Sequence, residues 1–457
     1  MHIEFCGADR TVTGSCHLLE INGLRVFLDM GMYQGPRQEA ERINRWLAPN
    51  AATADALILS HGHLDHCGKL PVLVRGGFKS AIHCTPATAE VARIVLGDSA
   101  AIQVEDVQYL QRQGTPQAAP EPLYTPKDIP GVLGLMRRIP YGQKTDLGKG
   151  VSFTFFDAGH ILGSAYVLVE WESKRLLFTG DVGRYDTPIL RDPQAIPGAV
   201  DYLITESTYG NTQHAPMSEV GPQFLDAVRF CVQRRSRLLV PSFAVGRTQT
   251  VLWYIQRFMQ DGQIPPIPIF VDSPMGVEIS KIHSQFRENY DEQTLAAIGT
   301  HDLFGTSRVT FASTTEQSKQ INDQGGPCVI IASSPTCEFG RILHHIKQSV
   351  DRPDDLIVFV GYIPPNTLGR RLQNGEKRAR IFDRWYDVRC QVRTIHGLSA
   401  HADGDELMRF LQPALNPRAT AWVVHGEVDQ AEPFSRRLLG AGVAAASLPE
   451  MQSIAEL

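Results

Sequence analysis

Residues 60–68 read Ser60-His61-Gly62-His63-Leu64-Asp65-His66-Cys67-Gly68, so three histidines and an aspartate fall within six positions. The preceding apolar run, 55–59, predicts a short buried strand that ends where these polar side chains begin. His61 and His63 lie two positions apart, so in extended backbone they share a face. Asp65 and His66 fall in the following turn and can reach a second point nearby. Nitrogen and oxygen donors at this density suit zinc, and their division into two pairs predicts two metal ions.

Three further segments place polar residues directly after apolar runs. Phe27-Leu28-Asp29 ends on an aspartate, the run 151–156 leads to His160, and Phe178-Thr179-Gly180-Asp181 ends on another aspartate. Together with the His-x-His-x-Asp-His pattern, these segments resemble the metallo-β-lactamase fold. The resemblance implies an α/β protein built as an αββα sandwich, with its metal ligands at the ends of strands.

Length and composition are those of a globular protein with more than one domain. The chain has 457 residues, of which 43% are hydrophobic and 20% charged, so we expect two domains. No apolar run approaches the ~18 residues that span a bilayer, and no signal peptide is recognisable. The eight cysteines have no paired spacing, which indicates reduced thiols and a cytoplasmic location. The net charge of −5 argues against a wholly basic nucleic-acid surface, although a local basic channel is compatible with it.

From residue 209 onwards the pattern changes to alternating helices and strands. Apolar runs at 238–241, 267–273, 328–334 and 356–362 predict strands separated by helices, which indicates a parallel sheet. Ligands of such sheets bind at the carboxyl ends of the strands. Those ends are rich here in serine, glycine and arginine, which suit phosphate oxygens. The predicted phosphate contacts are Ser242, Gly246, Arg247, Ser333 and Ser334.

Five basic residues cluster within eleven positions of the same segment: Arg370, Arg371, Lys377, Arg378 and Arg380. Their charge fits either a solvated helix face or a stripe that binds phosphates, and the sequence leaves both open. An interface with another chain would use the same residues equally well.

Polar residues on either side of this segment extend the resemblance. Glu206 ends the run Ile204-Thr205, His401 follows Gly397-Leu398-Ser399-Ala400, and His425 ends the run 421–424. These match the additional motifs of the β-CASP branch of the metallo-β-lactamase fold, which contains nucleases that act on RNA or DNA. The resemblance covers nearly the whole chain. It implies a hydrolase domain at 1–208 and 393–457, with an inserted β-CASP domain at 209–392.

Ligand roles follow from the resemblance residue by residue. His61, His63 and His160 resemble the ligands of a first zinc ion. Asp65, His66 and His425 resemble the ligands of a second, and Asp181 would bridge the two. Asp29 resembles a residue that orients a ligand, and Asp403 a further polar support.

The catalytic residues implied by the resemblance are Asp65, Glu206 and His401. Two zinc ions would activate water as hydroxide for attack on a phosphodiester. His401 would then act as general acid on the leaving oxygen, since a histidine can donate a proton near neutral pH. Glu206 would fix its tautomer and keep it protonated.

Two details refine the expected substrate. RNA-directed members of the branch tend to carry histidine at the position of His425, so we expect an RNA-processing endonuclease on single-stranded RNA, with 5′-exonuclease activity left open. In a loop where the family often has Ser-Gly-Met and Gly-Gly-Arg, this chain reads Ser334-Pro335-Thr336-Cys337-Glu338-Phe339-Gly340-Arg341. Proline and phenylalanine predict a stiffer, bulkier loop, which puts its substrate contacts in doubt.

Other functions stay open at this point. A small-molecule ester or thioester hydrolase could use the same dinuclear site, although it would need neither the insert nor Glu206 and His401. A non-catalytic RNA-binding scaffold is a second alternative, against which the complete ligand set argues. Family members often pair, so the resemblance also suggests a homodimer.

Overall fold

The computed structural model describes residues 1–112, 121–299, 303–305, 308–361 and 363–457, and these fall into two units. The first unit contains residues 1–185, 192–213 and 401–457, and the second contains 186–191 and 214–400. The first unit is therefore assembled from three separate stretches of chain. The domain bounds 1–208, 209–392 and 393–457 remain a proposal.

Two β-sheets form the centre of the first unit. Its strands are β1 (His2–Gly7), β2 (Cys16–Ile21), β3 (Leu24–Leu28), β4 (Ala56–Ile58), β5 (Ala81–Cys84), β6 (Met136–Arg138), β7 (Thr145–Gly148), β8 (Val151–Asp157), β9 (Ala165–Trp171), β10 (Lys174–Phe178), β11 (Tyr202–Thr205), β20 (Thr420–Val423), β21 (Ala445–Ser447) and β22 (Ile454–Glu456). One sheet has the order β22-β1-β2-β3-β4-β5-β6, and the other β21-β20-β11-β10-β9-β8-β7.

Helices lie next to both sheets. They are α1 (Arg37–Arg45), α2 (Leu64–Cys67), α3 (Leu70–Arg75), α4 (Pro86–Arg112), α5 (Ile129–Leu135), α13 (Gly404–Leu411) and α14 (Val428–Gly440). Helices α13 and α14 pack Phe410 and Leu438 against the second sheet, and α4 contacts α2, α5 and β6. This is the expected α/β architecture, an αββα sandwich.

Strand β9 shows how one sequence pattern serves two layers. Val167 and Val169 point into the core between the sheets, where they meet side chains such as Phe5 of β1. Tyr166 and Leu168 point the other way, into the core beneath α13 and α14. Alternate residues of a strand face opposite sides, so a strand buried on both faces is apolar throughout.

The second unit is built on a parallel sheet. Its strands are β12 (Arg237–Pro241), β13 (Ile269–Asp272), β14 (Val309–Phe311), β15 (Cys328–Ala332), β16 (Leu356–Phe359) and β19 (Gln391–Thr394), with a separate hairpin of β17 (Arg378–Ile381) and β18 (Arg384–Asp387). The order is β14-β13-β15-β12-β16-β19, and every pair is parallel. The four predicted strands correspond to β12, β13, β15 and β16. Position 362, in the last predicted run, lies outside the described residues.

Helices connect these strands. They are α6 (Met217–Arg234), α7 (Arg247–Gln260), α8 (Pro274–His283), α9 (Glu292–Ile298), α10 (Thr315–Asn322), α11 (Ile342–Ser349) and α12 (Leu368–Gln373). The apolar faces of α6 and α7 pack onto the sheet through residues such as Phe224 and Ile255. Throughout the described ranges, no helix combines the length and apolar character that crossing a membrane requires.

Candidate metal centre

The polar side chains singled out from the sequence meet at one place in the first unit. His61 and His63 follow β4, His160 follows β8, Asp181 follows β10 and His425 follows β20. Strand β4 belongs to one sheet and the other three strands to its partner, so both layers of the sandwich contribute. Strands β8, β10 and β20 run in the same direction, because β8 and β10 are both antiparallel to β9, and β10 and β20 are both parallel to β11. Their carboxyl ends therefore lie at one edge of the sheet, which brings side chains from distant segments together.

The first ligand group contains His61, His63, His160 and Asp181. The Nδ1 atom of His63 lies 3.1 Å from His61 Nε2 and 3.2 Å from His160 Nε2. Asp181 Oδ2 completes the group at 3.4 Å from His61 Nε2 and 3.5 Å from His160 Nε2. Four ligands around a tetrahedral zinc ion would lie about 3.3 Å from one another. The spacing of this group therefore fits that ion.

The second ligand group contains Asp65, His66 and His425. The two Nε2 atoms of His66 and His425 are 3.2 Å apart. Asp65 Oδ2 lies 3.4 Å from His425 Nε2 and 4.0 Å from His66 Nε2. Asp181 faces this group with its other oxygen, because Oδ1 is 3.2 Å from His66 Nε2. Asp181 thus presents one carboxylate oxygen to each group, as a bridging ligand would.

Two observations indicate that cations belong here. Asp181 Oδ1 is buried, and no hydrogen-bond donor among the described residues satisfies it. Burial lowers the pKa of His63 to about 4 and that of His61 well below its ordinary value, so both rings are neutral at pH 7. Neutral imidazoles and carboxylates are the protonation states that metal ions require. His66 differs, because burial would lower its pKa but the charges of Asp181 and Asp29 raise it well above its ordinary value, so a metal ion would replace a proton there. The number and spacing of the donors fit a pair of metal ions of the zinc class.

Asp29 orients the ligands from behind. Its Oδ2 lies 2.7 Å from His66 Nδ1 and accepts a hydrogen bond from Ser60 Oγ at 2.8 Å, while Oδ1 accepts from the Ser60 amide at 2.7 Å. Ser60 Oγ also lies 3.0 Å from His61 Nδ1. Engaging Nδ1 of each ring leaves Nε2 directed at the centre. The role of Ser60 was not predicted, although its position directly before His61 was a usable signal.

Glu206, which is buried, and His401, which is partly exposed, form a pair beside the centre. His401 Nδ1 lies 3.3 Å and 3.2 Å from the two carboxylate oxygens of Glu206, and 3.9 Å from Asp181 Oδ2. Glu206 is fixed in turn, because it accepts hydrogen bonds from the amides of Val182 at 2.6 Å and Thr208 at 3.3 Å. Burial alone would lower the pKa of His401, but the charges of Glu206 and Asp181 outweigh it and raise the pKa to about 9. The imidazolium is thus the favoured form at neutral pH.

Asp403 lies two positions beyond His401 and caps a helix. Its Oδ1 accepts hydrogen bonds from the amides of Asp405 at 3.0 Å and Glu406 at 2.9 Å. The Asp403 amide in turn donates a hydrogen bond to the Glu406 carboxylate, which completes a capping box at the start of α13. The contact fixes where α13 begins and therefore the position of the turn that carries His401.

The predicted phosphate residues lie at the strand ends of the second unit. Ser242 follows β12 and Ser333 follows the adjacent strand β15. The Ser242 hydroxyl lies 2.9 Å from Thr248 Oγ1, and the Ser334 hydroxyl 2.8 Å from Thr336 Oγ1. Gly246 has φ 76° immediately before α7, a conformation that suits glycine, and Arg247 is the first residue of that helix. Their contact with phosphate stays a prediction.

Ser273, which was not predicted, joins this set after β13. Its hydroxyl lies 3.0 Å from that of Ser333. In the altered loop, Arg341 anchors the chain by donating to Asp272 Oδ1 at 2.7 Å and to the Ala312 carbonyl at 3.0 Å. Phe339 is 63% exposed, so the bulky replacement projects outward rather than filling the loop.

Two groups of nitrogen and oxygen ligands that share an aspartate, at the edge of an αββα sandwich, define a metallo-hydrolase of the metallo-β-lactamase type. Three family models match the chain: the metallo-beta-lactamase superfamily over residues 10–215, the Beta-Casp domain over 248–372, and the Zn-dependent metallo-hydrolase RNA specificity domain over 385–446. The chain belongs to the β-CASP family of the metallo-β-lactamase superfamily.

Proteins of similar sequence match this chain over almost its whole length. Ribonuclease TTHA0252 of Thermus thermophilus is 35% identical over 94% of this chain and 94% of its own length. The transcription termination factor FttA of Cenarchaeum symbiosum is 28% identical over 92% of this chain, which spans 65% of that protein. A crystal structure of a protein of unknown function from Enterococcus faecalis V583 aligns with TM-score 0.56 and 12% identity, covering 100% of this chain and 99% of that one. That last likeness shows the fold alone.

Proposed function

We propose that the protein is a zinc-dependent ribonuclease that hydrolyses phosphodiester bonds of single-stranded RNA. The observation that carries the proposal is the placement of Asp181, which presents one buried oxygen to each of two ligand groups. A carboxylate shared in this way can hold two metal ions close enough to act together on one phosphodiester. The Thermus relative, named a ribonuclease, supports RNA as the substrate rather than a small ester or thioester.

The two ligand groups would hold two zinc ions, the first on His61, His63 and His160 and the second on Asp65, His66 and His425. When bound, these ions would supply Lewis acidity toward a phosphoryl oxygen and activation of water. Asp29 and Ser60 contribute by fixing the rings of His61 and His66, so that the ligands need no reorganisation.

His401 would donate the proton that the leaving oxygen needs. Because Nδ1 is held by Glu206, the other ring nitrogen takes the donor role. Glu206 both selects this tautomer and favours the imidazolium by its charge. The amides of Val182 and Thr208 keep the Glu206 carboxylate in place, so the pair is preorganised.

Two finer points belong to the same proposal. All eight cysteines are unpaired and buried, which supports a reducing compartment such as the cytoplasm.

A homodimer is proposed from the family resemblance, and sedimentation of the purified protein measures it directly.

Cleavage of RNA by matched variants tests the proposal. The wild type, His401→Ala and the surface control His2→Ala are incubated with zinc and with linear single-stranded RNA, a circular RNA of the same sequence, or the matching DNA. We expect RNA products from the wild type and the control, and a loss of about 10²–10⁴-fold in His401→Ala. Cleavage of the circle identifies endonuclease action, because a circle has no end.

Two results would contradict it. An unchanged rate in His401→Ala removes that residue from the chemistry. No cleavage of RNA by a zinc-loaded wild type, together with turnover of a thioester, would replace the ribonuclease by the small-molecule hydrolase.

A further inference from the structure

The hairpin of β17 and β18 carries two of the five residues of the basic cluster found in the sequence. Arg370 and Arg371 lie in α12, whereas Arg378 and Arg380 lie on strand β17. The two strands are joined by a two-residue turn at Phe382 and 383. The helix-face interpretation therefore does not apply to the second half of the cluster, which lies on a two-stranded sheet.

One face of this hairpin is anchored and the other is bare. Ala379 and Ile381 are buried in an apolar core that also contains Leu368 and Leu372 of α12. The opposite face carries Arg378, Arg380, Trp385 and Asp387, because Arg378 pairs with Asp387 and Arg380 with Trp385 across the ladder. Residues directly opposite in a ladder point to the same side.

The bare face presents an aromatic ring with a guanidinium group beside it. Trp385 is 57% exposed, and the guanidinium of Arg378 lies 5.7 Å from the centre of its ring. Of the five tryptophans in the chain, Trp385 alone is an exposed one. A single exposed apolar ring is common on a protein surface. This ring differs because arginine side chains lie beside it on an anchored hairpin, an arrangement that suits a ligand with both a flat ring and negative charge.

The charges around the ring suit a polyanion. Residues 376–389 carry five basic and three acidic side chains, a net of +2, whereas the whole chain is −5. The ion pairs of these arginines are long, at 3.7 Å from Arg378 to Asp387 and 3.8 Å from Arg380 to Asp383. The side chains of both arginines and both aspartates are more than half exposed. Exposed ion pairs at such distances contribute little, so phosphates can displace the carboxylates.

We propose that the outer face of this hairpin is a binding site for single-stranded RNA, in which a base stacks on Trp385 while Arg378 and Arg380 contact the flanking phosphates. Stacking on an aromatic ring and arginine contacts to the backbone are how proteins hold single strands without reading sequence. The inference rests on the proposed ribonuclease function for the identity of the ligand.

Binding is measured separately from cleavage. The full-length, zinc-loaded His401→Ala protein keeps the RNA intact, and a 12-nucleotide single-stranded RNA is titrated while tryptophan fluorescence and the anisotropy of an RNA label are recorded. In the His401→Ala parent protein, we expect RNA to quench the fluorescence of Trp385. Trp385→Leu should abolish the quenching and raise the Kd about tenfold, and Trp385→Phe should recover most of the affinity because it keeps a ring.

The arginines are tested by salt dependence. Arg378→Gln with Arg380→Gln should lower the slope of log K against log salt by about 1.4, or about 0.7 for each phosphate contact. Matched controls are Tyr109→Leu, a 58% exposed aromatic residue, and Arg436→Gln, whose side chain is 64% exposed. Both should bind RNA as the parent does.

The outcomes separate this inference from the proposed function. Affinity and quenching unchanged in Trp385→Leu would overturn the hairpin site even if the wild type cleaves RNA. A lower sedimentation mass in Trp385→Leu with unchanged RNA affinity would also overturn it, and would assign the face to a contact between copies. Loss of binding in the variants would uphold the site even if the wild type cleaves no RNA.

Discussion

Replacing Glu206 by glutamine tests how far the charge of Glu206 raises the pKa of His401. Glutamine keeps the shape of the side chain and an oxygen that can accept from the Val182 amide, but it removes the negative charge. With Glu206 present, the pKa of His401 is about 9 against an ordinary value of 6.5. Burial lowers this pKa and the charge of Asp181 raises it, so we take a fall to the ordinary value, by about 2.5, as the working case for the variant.

The sign of the effect on activity follows from the role of His401 as an acid. A general acid works in its protonated form, so activity falls as pH rises through its pKa. In the wild type His401 stays protonated up to a higher pH, whereas in the variant it loses its proton at a lower pH. With pKa values of about 9 and 6.5, the protonated fractions differ about thirtyfold at pH 8 but only about 1.3-fold at pH 6. Bound cations would shift both profiles to lower pH, and the separation between them would persist.

The assay is the single-turnover cleavage rate of end-labelled RNA between pH 6 and 9.5 at saturating zinc. Glu432→Gln, a 59% exposed glutamate on α14, is the matched control and should follow the wild-type profile. Thermal unfolding of each variant checks that the fold is kept. A loss of activity in Glu206→Gln that is the same at every pH would refute the reasoning, since a purely structural defect has no such pH signature.

Three further predictions concern zinc affinity and stability. Asp29→Ala should weaken zinc binding about 10- to 100-fold, measured by competition with a chelator, because His66 loses the acceptor that orients its ring. Asp272→Ala should lower the free energy of unfolding by about 3–5 kcal/mol at pH 7, because it leaves Arg341 and His345 without a buried carboxylate. Burial would raise the pKa of Asp272, but hydrogen bonds from His345, Ser318 and Arg341 hold it below its ordinary value. The stabilisation is therefore present above about pH 4 and lost at lower pH, so the difference in urea unfolding should shrink there. Asp403→Ala should destabilise the protein by about 1 kcal/mol, whereas Asp403→Asn, which still caps a helix, should cost less.

Controls make these results specific. Asp226→Ala removes a 77% exposed carboxylate and should leave zinc affinity and stability nearly unchanged. Zinc affinity retained in Asp29→Ala would show that His66 is oriented by other contacts. An Asp272→Ala protein as stable as the wild type would mean that the desolvation of Asp272 cancels its hydrogen bonds. Equal losses in Asp403→Ala and Asp403→Asn would contradict the capping role.

The sequence predicted the parts of the fold whose signal is local. Apolar runs that end on polar side chains located β3, β4, β8, β10, β12 and β15, because a buried strand must be apolar and its end must turn. Strands β14 and β19 were not foreseen. Strand β19 reads Gln391-Val392-Arg393-Thr394, without the apolar run of a buried strand, because it lies at the edge of the sheet.

The residues of the candidate site were likewise predicted only in part. Ligand positions followed from the spacing of histidines and aspartates and from the family resemblance, and the structure brings all seven together. Thr208 was missed because a backbone amide that supports a side chain leaves no pattern in the sequence, and Ser60 was missed although it directly precedes His61. Asp403 stood close to the site in sequence, yet it caps α13, a role that becomes visible only once the start of that helix is known.

The divided first unit has a consequence for how the protein is made. His66 and His425 share a ligand group but are 359 positions apart, so a ribosome adding about 5–20 residues per second leaves them separate for about 20–70 s. During that time β11 has no β20 beside it, and the exposed edge must wait for residues 420–423. A growing chain therefore lacks a complete second ligand group until His425 has been synthesised. Until then the order of synthesis leaves the second metal site incomplete, so a nascent chain that has not reached His425 could not use both sites on the messenger that encodes it.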